Sequence, residues 1–443
     1  MLEVKRQGIH MLAGFLLISL RFLPYWALLC LILFGILFNL FFLPLLFPSI
    51  MRGVTGDRRG VVFYPVAIAI MVILFPHHPA IIAGGWALLA FGDGMATMIG
   101  KLGKPIPLRW NPQKTVQGAI ACFVAGALAC IAALYFVEPS LFEEDFEKWI
   151  VAAIVAAAIS SWVESLPLPI NDNLTVPLSG AMVLWMAGFI EVDKLDQLSG
   201  LNMLFALLVN GILASALTSF RVVHGSATWA GVILGTILAY CGGWHAYFLL
   251  VLFFLAGTWA TRHGYQWKNL RGIAQEDEGR RGARHVVANC GVPVLFAFLA
   301  AGTAFHEWMM IGLVASLATA MMDTLSSELG QVYGRHPVLP TTGQVVPVGT
   351  EGAISMEGTL MGLLGAILIA VLAWTMGAFE HATAIPIVVL SAFCGSSAES
   401  VGGAMLTRDF TWKNEILNFG NTLIGGTMAV FIAYQTIELA KVA

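Results

Sequence analysis

Two groups of residues in this chain have types and spacings suited to phosphate chemistry. In FGDGMATMIGKLGK, Asp93 and Thr97 stand one helical turn apart on one face, and NPQKT follows with Asn111, Lys114 and Thr115. Farther on come Glu164 in VESL and the triplet Asn171-Asp172-Asn173. The second group has Asp323 and Glu328 in MMDTLSSELG, then Glu351, Ser355 and Glu357 in PVGTEGAISMEG. Glu399 in AESV and the ladder Asn414, Asn418, Asn421 complete it. Carboxylate oxygens suit Mg²⁺, and lysine or arginine neutralises phosphate. Phosphoryl or nucleotidyl transfer needs that combination, because catalysis there rests on positioning and electrostatics. Lys114 sits where a helix begins, so free backbone N–H groups join it in facing an anion. Lys101, Lys104 and Arg109 read instead as anchors at the inner face of a membrane.

The elements that position these groups are membrane spans. Of 443 residues, 58% are hydrophobic and 11% charged, which excludes a water-soluble enzyme, a disordered chain and a nucleic-acid binder. With about 20 apolar residues per crossing, fifteen spans are expected near 8–24, 25–47, 60–76, 79–99, 114–136, 148–165, 174–191, 200–218, 224–242, 244–262, 285–304, 308–328, 356–376, 380–397 and 415–439. With the N-terminus cytoplasmic and the C-terminus outside, only Arg21, Lys148, Lys194 and Lys441 of the 23 basic residues fall outside. All the candidate clusters then face the cytoplasm. No secretory leader or transit pattern opens the sequence, so a prokaryotic plasma membrane is the expected location. The six cysteines lack metal or redox spacing and read as small buried hydrophobes.

The chain also resembles itself. Asp93 lies seven residues before Gly100, and Asp323 seven before Gly330. KTVQGAIACFVAGALA aligns with ISMEGTLMGLLGAILI through Gly118 and Gly358, VESL with AESV, and NLTVP with NEILN. Five spans over 60–191 therefore recur over 285–439. The offset of eight spans gives the two units the same orientation, unlike inverted transporter repeats. The position of Lys114 holds Ile354 in the second unit. Its phosphate-binding charge is expected from the preceding loop, which carries Lys268, Arg271, Arg280, Arg281 and Arg284. No Walker, protein-kinase, zinc-protease or hydrolase motif competes.

Residues 1–195 resemble the phytol kinase and dolichol kinase branch of the membrane cytidylyltransferase-like superfamily. The features are EVKRQGIH, RRGVVFYP, GDGMATMIGKLGK, NPQKTVQG and VESLPLPINDNLTVPL. Residues 196–443 are similar to a separate membrane family that includes plant phytyl-phosphate kinase. There the features are GRRGARHVVANCGV, MMDTLSSELG, VPVGTEGAISMEGTLMG and WKNEILNFGNTLIGG. The resemblance implies CTP-dependent phosphorylation of an isoprenoid alcohol in the first unit, and of the prenyl monophosphate to the diphosphate in the second.

By that resemblance the catalytic candidates are Asp93, Lys114, Glu164, Asp172, Asp323, Glu328 and Glu399. The nucleotide-binding candidates are Thr97, Asn111, Thr115, Asn173, Glu351, Ser355, Asn414, Asn418, Arg280 and Arg281. Asp93, Asp172, Asp323 and Glu399 are candidate Mg²⁺ ligands, and the choice between metal ligand and base stays open at each. Two alternatives use the same inventory or the same topology: a cytidylyltransferase of the CDP-diacylglycerol synthase type, and a lipid transporter without nucleotide turnover.

Overall fold

The computed structural model describes residues 2–42, 59–167, 170–196, 198–220, 223–275, 282–405 and 413–438. The chain divides into two compact helical units, Met1–Phe189 and Ile190–Ala443.

In the first unit, α1 (Leu2–Gly14) runs into a 3₁₀ turn over Phe15–Arg21, and α2 (Tyr25–Leu37) and α3 (Arg59–Leu74) follow. Next, α4 (Pro79–Ala87) passes through a π turn at Leu88–Asp93 into α5 (Gly94–Ile99). A two-stranded hairpin, β1 (Pro107–Leu108) and β2 (Asn111–Thr115), leads into α6 (Val116–Val137). A short helix α7 (Ser140–Glu144), then α8 (Phe146–Ser165) and α9 (Asp172–Gly188), complete the unit.

The second unit holds α10 (Val192–Asp196), α11 (Gly200–Ser219), α12 (Gly225–Arg262), α13 (Tyr265–Leu270), α14 (Ala283–Gly302) and α15 (His306–Tyr333). After a loop pinned by bridges from Val338 to Val345 and Ile354 come α16 (Met356–Thr375), α17 (Ala384–Met405) and α18 (Lys413–Ala433).

Among the described residues, eleven helices are long and apolar enough to cross a membrane, against the fifteen expected. Three of the expected crossings are short or interrupted. The stretch 2–21 breaks into the 3₁₀ turn, α3 has 16 residues and α9 has 17. The fourth difference is α12, where the two spans expected at 224–242 and 244–262 run together through Gly243, whose φ of 79° bends the chain. That backbone region costs glycine little and other residues much.

Among the described candidate spans, one helix in each unit is the most enclosed. Over its apolar window, 78% of Pro79–Ile99 is buried, and so is 78% of His306–Tyr333. An apolar helix buried all round must sit at the centre of its bundle. These are the helices that carry Asp93 and Asp323. Around them the core is built from Met71, Leu89, Leu134 and Leu184 in the first unit, and from Leu238, Leu249, Ile311 and Leu317 in the second. Outer faces present Leu128, Ile233, Leu364 and Phe431, the apolar surface that acyl chains would cover.

Helices in a bilayer gain little from hydrophobicity among themselves and associate by close packing of small residues. Gly100 and Gly118 meet in this way, a Cβ on Gly118 falling 3.0 Å from the Ala96 carbonyl oxygen and 3.4 Å from the Gly100 Cα. Gly330 and Gly358 do the same, a Cβ on Gly358 falling 3.0 Å from the Gly330 Cα. Each contact draws the helix after the polar loop against the central helix.

A buried ion pair ties α13 to α15. Lys268 Nζ donates to Glu328 Oε2 at 2.6 Å and to the Thr261 carbonyl at 2.9 Å, so it also caps the end of α12. Glu328 Oε1 accepts from Thr261 Oγ1 and Gln275 Nε2. The side chains are 1% and 3% exposed. Glu328, a catalytic candidate, and Lys268, a candidate phosphate-binding cation, are thus enclosed and bonded to each other.

These contacts set two expectations for stability. Gly358→Val is expected to cost about 1–3 kcal/mol through overpacking, seen as a lowered melting temperature of the purified protein. Gly231→Ala, where nothing lies within 4 Å, should not lower it. Lys268→Met leaves Glu328 buried and unpaired, for a loss of about 3–5 kcal/mol, whereas Lys268→Met/Glu328→Leu recovers most of it. Failure of the double variant to recover would show that the pair does more than hold α13 to α15.

Candidate functional site

In the first unit the central helix delivers Asp93 through the π turn. An extra residue in a helical turn re-aims the side chains beyond it, and such turns recur at functional sites. Asp93 is buried, and His10 Nε2 stands 3.6 Å from its Oδ2 while lying 3.1 Å from the Leu89 carbonyl. Tyr64 packs edge-on against His10 at 4.7 Å and its hydroxyl accepts from Trp86 Nε1. Thr97, one turn beyond Asp93, is half-buried.

The loop after α5 is folded back by its own polar groups. Gln117 holds both sides of it, donating to the Lys104 carbonyl and accepting from Ile106 N–H. Thr115 is the N-cap of α6: its Oγ1 accepts from Gly118 N–H and donates to the Gly100 carbonyl. The hairpin thereby brings Asn111 and Lys114 onto the end of α8. Asn111 Nδ2 donates to the Ser165 carbonyl at 3.1 Å.

Lys114 Nζ donates to Glu164 Oε1 at 2.7 Å and to Asp172 Oδ2 at 3.0 Å. Asp172 opens α9, where Asn171 caps the helix by accepting from Asn173 N–H. Lys114 thus bridges the ends of two helices, with Asp93 adding to the negative field around it. Burial by itself pulls the lysine down, but Glu164, Asp172 and Asp93 outweigh it and hold the ammonium well above its ordinary value. Asp93, Asn111, Lys114, Glu164 and Asp172 therefore form one group. Lys101, Lys104 and Arg109 stand exposed on the loop.

The second unit gathers a polar group of its own. Asp323 on α15 lies within interaction range of Glu399 on α17, and Glu351 and Lys413 bear on the same carboxyl. Ser355 caps α16 by accepting from Gly358 N–H, as Thr115 caps α6. Gly352, at φ 73°, lies against the backbone of Ser400 and Ala404, so the loop carrying Glu351 rests on the end of α17.

Lys413, the first residue of α18, sets its Nζ 3.1 Å from Glu351 Oε1 and 2.8 Å from the Gly403 carbonyl. Asn414 is exposed on the first turn of α18 and Asn418 is half-buried one turn on. Asn421, deeper still, is 1% exposed, and neither amide atom has a hydrogen-bond partner among the described residues. Arg280 and Arg281 lie outside the described residues. Among the described residues, no three His, Cys, Asp or Glu side chains converge as a preformed metal cage.

Sequence reasoning misses two members of these groups. His10 has no metal spacing and reads as a packing residue, although it closes the EVKRQGIH stretch. Lys413 directly precedes Asn414, but the sequence directs attention to the position of Lys114 and to the basic loop before α14.

Comparison with known proteins adds the family. The model for "Integral membrane protein DUF92" matches residues 207–426. An uncharacterized membrane protein of Methanocaldococcus jannaschii is 34% identical over 242 residues, covering 55% of this chain and 98% of that protein. The chloroplastic protein VTE6 of Arabidopsis thaliana is 33% identical over 232 residues, 50% of this chain and 70% of that protein. A probable chloroplastic phytol kinase of Glycine max is 32% identical over 136 residues, 29% of this chain and 42% of that protein. No solved structure matches. On the extent of these matches, and with two polar clusters held at the ends of apolar helices, the chain belongs to the DUF92 family of integral membrane proteins.

Proposed function

We propose that this protein is a membrane kinase of isoprenoid alcohols with two sites. The first unit converts a prenol to its monophosphate, and the second converts the monophosphate to the diphosphate, with CTP as phosphoryl donor. The observation that carries the reading is Lys114 clasped between Glu164 and Asp172 beside Asp93, at helix ends where a lipid head group can meet a soluble nucleotide. The match to a protein named phytol kinase supports the choice of substrate. The two units would be a fusion of two activities, with residues 1–195 and 196–443 as its parts.

The chemistry follows from the groups present. The prenol oxygen attacks the γ-phosphorus, the bond to the β-phosphate oxygen breaks, CDP leaves, and the hydroxyl proton passes to a carboxylate of the cluster. Lys114 neutralises the charge on the phosphate, exchanging a carboxylate partner for it. Bound Mg²⁺ would supply further charge neutralisation on the phosphates. It takes one or two carboxylates plus phosphate oxygens and water, so the small carboxylate groups at Asp93 and at Asp323–Glu399 fit it without a three-residue cage. The distribution of basic residues orients both sites to the cytoplasm, in a prokaryotic plasma membrane.

Labelled CTP tests the reading on purified protein with Mg²⁺ and a panel of prenols. A γ-labelled phosphate should appear in prenyl phosphates with release of CDP. Release of labelled pyrophosphate would overturn it in favour of a cytidylyltransferase. Asp93→Asn should lower monophosphate formation at least about 100-fold, the usual span for a positioned proton acceptor, while added prenyl monophosphate is still converted to diphosphate. Asp323→Asn should make monophosphate accumulate. Equal loss of both steps from either change, in protein that keeps its melting temperature, would defeat the two-site scheme.

A further inference from the structure

The second unit lacks a lysine where the first has Lys114, yet it too has an ion pair from this loop to the start of the last helix, with the charges exchanged and the loop member three positions earlier, where the first unit has Asn111. In the first unit the loop residue is the cation and the residue opening the last helix is the anion: Lys114 to Asp172, 3.0 Å. In the second unit the loop residue is the anion and the residue opening the last helix is the cation: Glu351 to Lys413, 3.1 Å. The alignment that pairs Asn173 with Asn414 sets Asp172 against Lys413. The remaining carboxylates also correspond, Glu164 with Glu399 and Asp93 with Asp323.

We propose that Lys413 is the phosphate-binding cation of the second site, doing from α18 what Lys114 does from its loop. The inference rests on the two-site kinase reading for the identity of the phosphate compound, though not for the existence of an anion site. Its physical basis is the difference between the two lysines that are buried among the unit's described residues. Lys268 faces Glu328, which is 3% exposed and cannot leave without stranding its charge. Lys413 faces Glu351, whose side chain is 37% exposed and can turn to water when a phosphate arrives. The Gly403 carbonyl keeps the ammonium in place during that exchange. Asp172 opposite Lys114 is similarly open, at 39%. In both units, then, a lysine partly or wholly out of solvent has a counter-ion that can be displaced.

Deeper on α18, Asn421 has no partner for either amide atom among the described residues, whereas the aligned position in the first unit is Gly180, beside Leu88 and the Ser160 hydroxyl.

The test uses the full-length protein in nanodiscs, with binding of CTP and of inorganic pyrophosphate measured by equilibrium dialysis and folding followed by melting temperature. Wild type should bind two equivalents. Lys413→Met should weaken one of them about 10–100-fold, as expected for loss of a charged hydrogen bond, and leave the other unchanged. Lys413→Arg should keep both. Lys413→Asp should lose the second site, and Ile354→Lys/Lys413→Asp, which copies the first unit's arrangement, should recover it.

Unchanged binding in Lys413→Met, with unchanged conversion of added prenyl monophosphate, would overturn the proposal and leave the pair a clasp between loop and helix. Pyrophosphate binding that depends on Lys413 in a protein that phosphorylates no prenol would support the anion site while defeating the kinase reading. No pyrophosphate binding in the wild type would defeat the anion site itself.

Discussion

A charge taken into apolar surroundings has to find an opposite charge or give up its own, and that requirement shapes both units. A carboxylate at the middle of a bilayer costs about 2.5–3.5 kcal/mol on insertion scales, and a buried one stripped of its partner costs about 3–5 kcal/mol. Among the described residues, three such carboxylate groups near helix ends have a lysine, and Asp93 has His10. Lys114 serves Glu164 and Asp172, Lys268 serves Glu328, and Lys413 serves Glu351 beside Glu399. Loops that would otherwise trail from the helices are thereby folded back onto them. The caps at Thr115 and Ser355 and the clamp at Gln117 fix the same loops.

A structural pair differs from a working one in the ease of replacing a partner. The Lys268–Glu328 pair is enclosed on both sides and further bonded by Thr261 and Gln275, so no ligand can substitute for either member. At Lys114 and Lys413 one carboxylate in each set faces solvent. An ammonium whose counter-ion can withdraw is already desolvated and already aimed, which is the preorganisation that phosphate binding rewards. The same low dielectric that makes an unpaired charge costly makes the exchange of one anion for another nearly even.

Polar positions near the ends of the apolar helices were legible in the sequence, whereas the enclosure of the helices that carry Asp93 and Asp323 was not. Asp93 and Asp323 announced themselves by recurring at one distance from a glycine, and the Gly100–Gly118 and Gly330–Gly358 approaches gave that glycine its reason. Helix ends were less legible, because 3₁₀ and π turns keep apolar periodicity while changing the rise per residue. The partners of the charges were least legible. Glu328 looked like its neighbours in a motif, yet the side of α15 it occupies faces Lys268, sixty positions earlier in the chain. Pairings of that kind are set by tertiary folding, and no local pattern encodes them. His10 was hidden for the same reason, since its meeting with Asp93 depends on how α1 lies along the π turn.

The exchanged polarity of the two loop-to-helix ion pairs shows what packing conserves and what it leaves free. An ion pair of a given length stabilises its neighbours almost equally whichever chain segment supplies the cation, because Coulomb's law is symmetric in the two charges. Lysine and glutamate are not symmetric toward a third party. On the proposed reading, a phosphate would approach the ammonium and displace the carboxylate, so reversing the pair would move the binding atom from the loop to the first turn of the last helix. At that place the ammonium stands with the N–H groups of α18, which favour an anion in the same way. On that reading, a charge exchange that is nearly silent in the energy of the fold would relocate where a phosphate is held. With two sites as proposed, this exchange is how the two units would present phosphate compounds of different shape to their carboxylates.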